Sequence, residues 1–234
     1  MSIAENIAQV RERVDAAARR AGRARESINL MGVSKTFPAL AVREAYAAGL
    51  RVFGENRVQE FADKAGELRG LANAEWHLIG HLQSNKANKV AELFSAVDSV
   101  DALRLAEKLN SAAEKLGHRM PVLIEVNIGG EAVKSGVAPD SSELEELLRG
   151  AARLSHLAIE GLMTVPPWSE EAEPARPYFR QLRELRDRIA ARRLPAVNMG
   201  ALSMGMSHDF EVAIEEGSTC VRVGTAIFGA RKKG

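Results

Sequence analysis

A chain of 234 residues, 46% hydrophobic and 27% charged, can bury one large core or two small ones and lies far from disordered compositions. Lys and Arg total 32 against 31 Asp and Glu, a formal net charge of +1, so no overall field draws the chain to nucleic acid or an anionic membrane. The single cysteine, Cys220, excludes an intramolecular disulfide and a multi-cysteine metal cluster.

At the N-terminus, Ile3, Ile7, Val10 and Val14 are spaced four, three and four apart, one face of an amphipathic helix. Acids appear early there and no unbroken apolar run follows, so the segment does not read as a signal peptide. No stretch reaches the roughly 18 apolar residues that a membrane span needs, and a cytoplasmic location is expected. After Gly22 the pattern changes to short apolar runs at 28–33, 52–53, 76–79, 96–100, 122–128, 158–165, 197–202 and 220–223. Helical composition fills 39–48, 57–71, 101–116, 141–154 and 173–193, with a brief helix over 208–216. Strands alternating with helices predict repeated βα units on a parallel sheet. Eight of them in one chain predict an α/β fold, a single (β/α)8 TIM-like barrel with an extra N-terminal helix. An open doubly wound sheet is the alternative that uses the same alternation. The Pro-rich piece at 165–177 reads as a long βα loop, and one domain over 1–234 is expected.

The first run ends in GVSKTFP, which sets Lys35 at a strand end, where barrels build their active sites. Partial burial there frees an amine to attack a carbonyl, whereas a surface lysine at a strand end would carry no chemistry. Near the C-terminus, Ser203, Gly205 and Ser207 lie at the end of the seventh strand, with Ser207 placed to cap a helix near His208. Gly224 and Thr225 follow the eighth strand into a turn or short helix. Such turns attract a phosphate dianion through backbone N–H groups, and barrels often bind phosphate after strands seven and eight. Arg222 shares a strand face with Gly224, either beside that phosphate or in a salt bridge to Glu55 or Glu125. A phosphorylated aldehyde held as an imine would use the amine, the cradle and the cation together.

The pair His77 and His81 has the spacing of two metal ligands on a helix, but His77 lies in an apolar strand and a third ligand is missing. No metal is expected, and a supporting role near the site suits the histidines better. The basic tail 231–234 is too short for a nucleic-acid patch, and Cys220 reads as a small core residue.

The motifs VSKTFP (33–38), FGENRVQE (53–60), WHLIGHLQSNK (76–86), VNIGGEAVKSG (126–136), GLMTVPP (161–167), LSMGMSHDFEVAIEEGST (202–219) and VRVGTAIFG (221–229) run in order along almost the whole chain. Together they resemble the pyridoxal phosphate homeostasis proteins, whose fold is similar to the N-terminal barrel of alanine racemase, the type III fold of enzymes using pyridoxal 5′-phosphate (PLP). The resemblance implies PLP as cofactor, a Schiff base on Lys35, and Ser203, Ser207, Gly224 and Thr225 near its phosphate. Arg222 would approach the pyridine nitrogen, Asn56 would lie near the ring, and Met204 and Met206 would border the phosphate loop. Phe37 departs from the smaller or polar residue expected after the lysine, and Arg57 from an aromatic expected after GEN. Alanine racemase uses a tyrosine base from a partner's second domain, which is not expected here, and Tyr46 and Tyr178 both fall in helical segments. The expected role is therefore PLP buffering or delivery in vitamin B6 homeostasis, by a monomer, with PLP-dependent apo-enzymes as recipients and without robust catalysis. The alternatives are a PLP-dependent racemase or lyase of low activity, and a regulatory module that reports PLP occupancy to a protein partner.

Overall fold

A computed structural model describes residues 1–131 and 134–230. Two residues of the 126–136 motif and the basic tail 231–234 lie outside the described residues. The chain opens with α1 (Ile3–Arg20), closed at its start by a capping box in which Ser2 and Glu5 exchange side-chain and backbone hydrogen bonds. Its apolar face buries Ile7, Val10 and Val14, as the spacing predicts, while Ile3 stays half-buried.

The strands are β1 (Asn29–Val33), β2 (Val52–Glu55), β3 (Glu75–Leu78) and β4 (Ala96–Val100), followed by β5 (Met120–Glu125), β6 (Leu157–Met163), β7 (Val197–Met206) and β8 (Cys220–Val223). They pair in sequence order, all parallel, and β8 closes on β1 through Asn29↔Cys220 and Met31↔Arg222. The fold is therefore the closed eight-stranded barrel with helices between the strands, and the open sheet is excluded. The helices are α2 (Ala39–Ala47), α3 (Val58–Ala65), α4 (Ala87–Leu93), α5 (Leu103–Lys115), α6 (Ser142–Gly150), α7 (Arg176–Ala191), α8 (Phe210–Glu215) and α9 (Thr225–Phe228). No helix among the described residues is long and apolar enough to cross a membrane.

The apolar core fills the layer between barrel and helices, where Phe53, Phe61, Leu78, Leu109, Phe179 and Phe210 are fully or almost fully buried. The barrel interior is more polar. Strand alternation turns Met31, Gly54, His77, Asp98 and Arg222 inward and their neighbours outward. Polar residues inside a barrel cost desolvation unless partnered, so they mark where a function is built. The helix α1 braces the end that matters below. Asn6 donates to the Ile227 carbonyl on α9 (2.8 Å), and Arg13 pairs with Glu211 on α8.

Candidate functional site

A cavity of about 350 Å³ opens at the C-terminal end of the barrel. Lys35, Asn56, Ser207, Arg222, Gly224 and Thr225 all line it, contributed by the ends of β1, β2, β7 and β8. Residues separated by almost the whole chain converge because strand ends of a closed barrel share one rim.

Ser203 stands apart. It is fully buried below the cavity, and its Oγ accepts a hydrogen bond from Arg222 (2.8 Å). Ser207 is the serine that lines the cavity. It does not cap α8, contrary to the expectation from its position. Asp209 takes the N-cap position of that helix, and its carboxylate accepts from the Met206 N–H (2.5 Å). The Ser207 Oγ instead accepts from the N–H of Gly224 (3.1 Å) and of Ala226 (3.4 Å). Those donors open α9, and an oxygen already rests on them. Met206 lines the cavity, whereas Met204 is buried in the core.

Gly205 has φ +93°, and a side-chain carbon there would sit 2.5 Å from Ala213 Cβ. Only glycine lets the strand turn so tightly onto α8. Gly224 is different: its φ is −108°, and an added Cβ would meet only ordinary contacts at 3.5 Å. Neither backbone nor crowding demands glycine there.

Arg222 is 3% exposed and donates to the Thr164 carbonyl (2.7 Å) as well as to Ser203. The salt bridge to Glu55 is ruled out by topology, because Glu55 lies on the outer side of the wall, paired with Lys64 of α3 (2.7 Å). Burial pushes the guanidinium down, and the carboxylates of Asp98, Asp209 and Glu125 push back. Glu125 is raised to about 7 by burial and by Asp101, with Arg222 opposing. Burial likewise raises Asp209, against the hydrogen bond from Met206. The cation and acids thus lie close enough to tune one another, and among the described residues Arg222 makes no direct ion pair with Glu125.

The turn carrying Lys35 is held from outside. Phe37 N–H donates to the Ser34 carbonyl (3.2 Å), and Thr36 adopts φ +68°, a left-handed conformation that β-branched residues avoid. The Phe37 ring stacks on Phe228 with centroids 5.1 Å apart, so the departure at position 37 has a packing role. Val165, Trp168, His208 and Ile79 also line the cavity and were not among the expected residues. Ile79 and Val165 follow the ends of strands, so counting register to the strand ends would have found them. Trp168 is 71% exposed in the loop before α7 and carries no periodic signal.

The histidine pair does not belong to this site. His77 faces the opposite end of the barrel, where its Nδ1 lies 2.9 Å from Asp98, and His81 lies near Asp101 instead. Burial works against the His77 charge, yet Asp98 and Glu75 raise it to about 9. Cys220 lies at the same end. Its thiol is pushed up to about 12 by burial, with Asp98 repelling the thiolate, which removes it as a nucleophile at neutral pH.

The residues at the mouth suit PLP. Asn56 Oδ1 is buried with no hydrogen-bond partner among the described residues, and so offers an acceptor. The N–H groups of Gly224 and Ala226 offer donors for phosphate, and Lys35 offers an amine.

Comparison with known proteins places this geometry. The family described as alanine racemase, N-terminal domain, matches residues 3–232. An alanine racemase of Clostridium difficile 630 superposes with a TM-score of 0.74 at 15% identity, over 99% of this chain and 57% of that one, which shows a common fold. PipY of Synechococcus elongatus PCC7942, solved with PLP bound, superposes at 0.84 with 38% identity, over 97% of this chain and 100% of that one. The fold and rim thus define an alanine-racemase-type barrel. The pyridoxal phosphate homeostasis protein of Aquifex aeolicus (strain VF5) is 48% identical over 99% of this chain and 100% of its own length. That of Escherichia coli (strain K12) is 46% identical over 98% and 97%. The chain belongs to the pyridoxal phosphate homeostasis protein family.

Proposed function

We propose that this chain, as one binding domain over residues 1–234, holds PLP covalently on Lys35 and buffers or delivers it within the cytoplasm. The observation that carries the reading is the convergence of an amine, a set of phosphate donors and a buried cation on one cavity. PLP supplies a reactive aldehyde and an electron-withdrawing ring. Lys35, at the end of β1 on the cavity wall, would supply the amine that holds that aldehyde as a Schiff base. Gly224, Thr225 and Ser207 bind the phosphate, with Ser207 Oγ giving up the N–H groups it now occupies. Asn56 and Arg222 orient the ring. Ser203 and the Thr164 carbonyl keep the Arg222 fork aimed.

Arg222, if it faces the pyridine nitrogen, would not give that atom a proton, so the ring would withdraw electrons less strongly. Neither tyrosine lines the cavity. Tyr46 donates to the Ala72 carbonyl on the outside of the barrel, and Tyr178 packs on the core from α7. Both features support a carrier without robust catalysis; the reading further takes it as a monomer with PLP-dependent apo-enzymes as recipients. The test is PLP transfer from the loaded protein to an apo-enzyme, compared with release into buffer. Faster reactivation than free PLP gives supports delivery, equal rates leave buffering alone, and steady amino-acid turnover lost in Lys35→Ala would refute the carrier.

A further inference from the structure

The structure contains a buried lysine, Lys64, that the proposed chemistry does not use. It is 8% exposed, and its ammonium group makes three hydrogen bonds. The acceptors are the Ser34 carbonyl (2.9 Å), the Phe37 carbonyl (3.1 Å) and Glu55 Oε1 (2.7 Å). An ammonium has three donors, so this set satisfies it completely. Two of those acceptors bracket Lys35 and Thr36 in the chain. The third, Glu55, is fully buried and also accepts from Ser34 Oγ (2.5 Å). One helical turn earlier on the same face of α3, Glu60 accepts the Thr36 N–H. The turn is therefore gripped at two carbonyls by one residue and at an N–H by the other, across a left-handed Thr36 that would otherwise relax.

A buried ammonium beside a carboxylate needs a reason, since apolar residues of similar volume often stabilise a fold as well. Here each of its bonds ends on the Lys35 turn or on the residue that anchors it. We propose that Lys64 and Glu60 are positioning residues, a clamp on α3 that presents Lys35 for bonding to the cofactor aldehyde. The clamp acts on the backbone of the nucleophile, not on the phosphate or the ring. Its removal therefore weakens the covalent step and spares non-covalent binding. This rests on Lys35 being the anchor.

The experiment compares two ligands on the purified full-length protein: PLP, and pyridoxine 5′-phosphate, which keeps ring and phosphate but carries an alcohol in place of the aldehyde. In Lys64→Met, PLP binding followed by Schiff-base absorption weakens by about tenfold or more, because a small displacement of a reacting group is costly. Pyridoxine phosphate binding, followed by calorimetry, stays unchanged. Glu60→Gln, at a half-buried position outside the core, shifts the same ratio in the same direction by less, and it serves alone should Lys64→Met not fold. Equal weakening of both ligands, or no change in either, overturns the clamp. Lys35→Ala separates the two readings. Unsubstituted protein that binds PLP no better than Lys35→Ala does would refute the anchor itself, whereas loss in Lys35→Ala with an intact ratio in the α3 variants refutes only the clamp.

Discussion

At the scale of single residues, the sequence shows which groups could do chemistry more readily than which way they point. Lys35, Arg222 and the two glycine turns were visible because their types are unusual at strand ends, and six of the seven expected residues share the cavity. Ser203 and Ser207 could not be separated, since four residues along a bulged strand end decide which faces the rim and which the interior. Gly224→Ala tests the reading of that rim. With ordinary φ and ordinary contacts, it changes stability by less than about 0.5 kcal/mol. It also covers a phosphate donor, so pyridoxine phosphate binds more weakly. A large drop in melting temperature with unchanged ligand affinity would contradict this account. His77 gives a pH signature at the other end. Its folded pKa of about 9 lies above the ordinary 6.5, so the pair with Asp98 contributes fully below pH 6.5. That contribution is lost as pH rises through 9, and amounts to about 3 kcal/mol at most. Thermal melts from pH 6 to 10 should show this decline, and Asp98→Asn should flatten it. A slope that survives Asp98→Asn would rule out the pair as its source.

At the scale of elements, the apolar runs located every strand and helical composition located most helices, though α4 was not among them. Run 52–53 extends to Glu55 through a glycine and a carboxylate, and run 197–202 extends to Met206, where Ser203 and Gly205 interrupt the apolar pattern around Met204 and Met206. Polar function at strand ends erases the apolar signal that marks strands. The brief helix expected at 208–216 starts later, at Phe210, since Asp209 and not Ser207 closes the preceding turn. The span 57–71 is helical only to Ala65 before it loosens into turns. For α1, packing outweighs capping. Ile7→Ala should cost about 3 kcal/mol by denaturant unfolding, against about 1 kcal/mol for Ser2→Ala. The reverse order would mean that α1 is held by its own hydrogen bonds more than by the barrel.

At the scale of the whole molecule, closing the barrel joins two ends of the chain that sequence distance keeps apart. Lys35 precedes the phosphate turns by nearly the full length, yet β1 pairs directly with β8, and Val33 contacts the position of Gly224. That closure makes one site of an amine and an anion cradle, and α1, α8 and α9 brace it from outside. The covalent claim is tested most directly by reducing the PLP-loaded protein with borohydride and mapping the modified peptide. The account predicts one stable pyridoxyl adduct on Lys35 and none in Lys35→Ala. An adduct on another lysine, or a loaded Lys35→Ala protein with the same Schiff-base absorption, would contradict it.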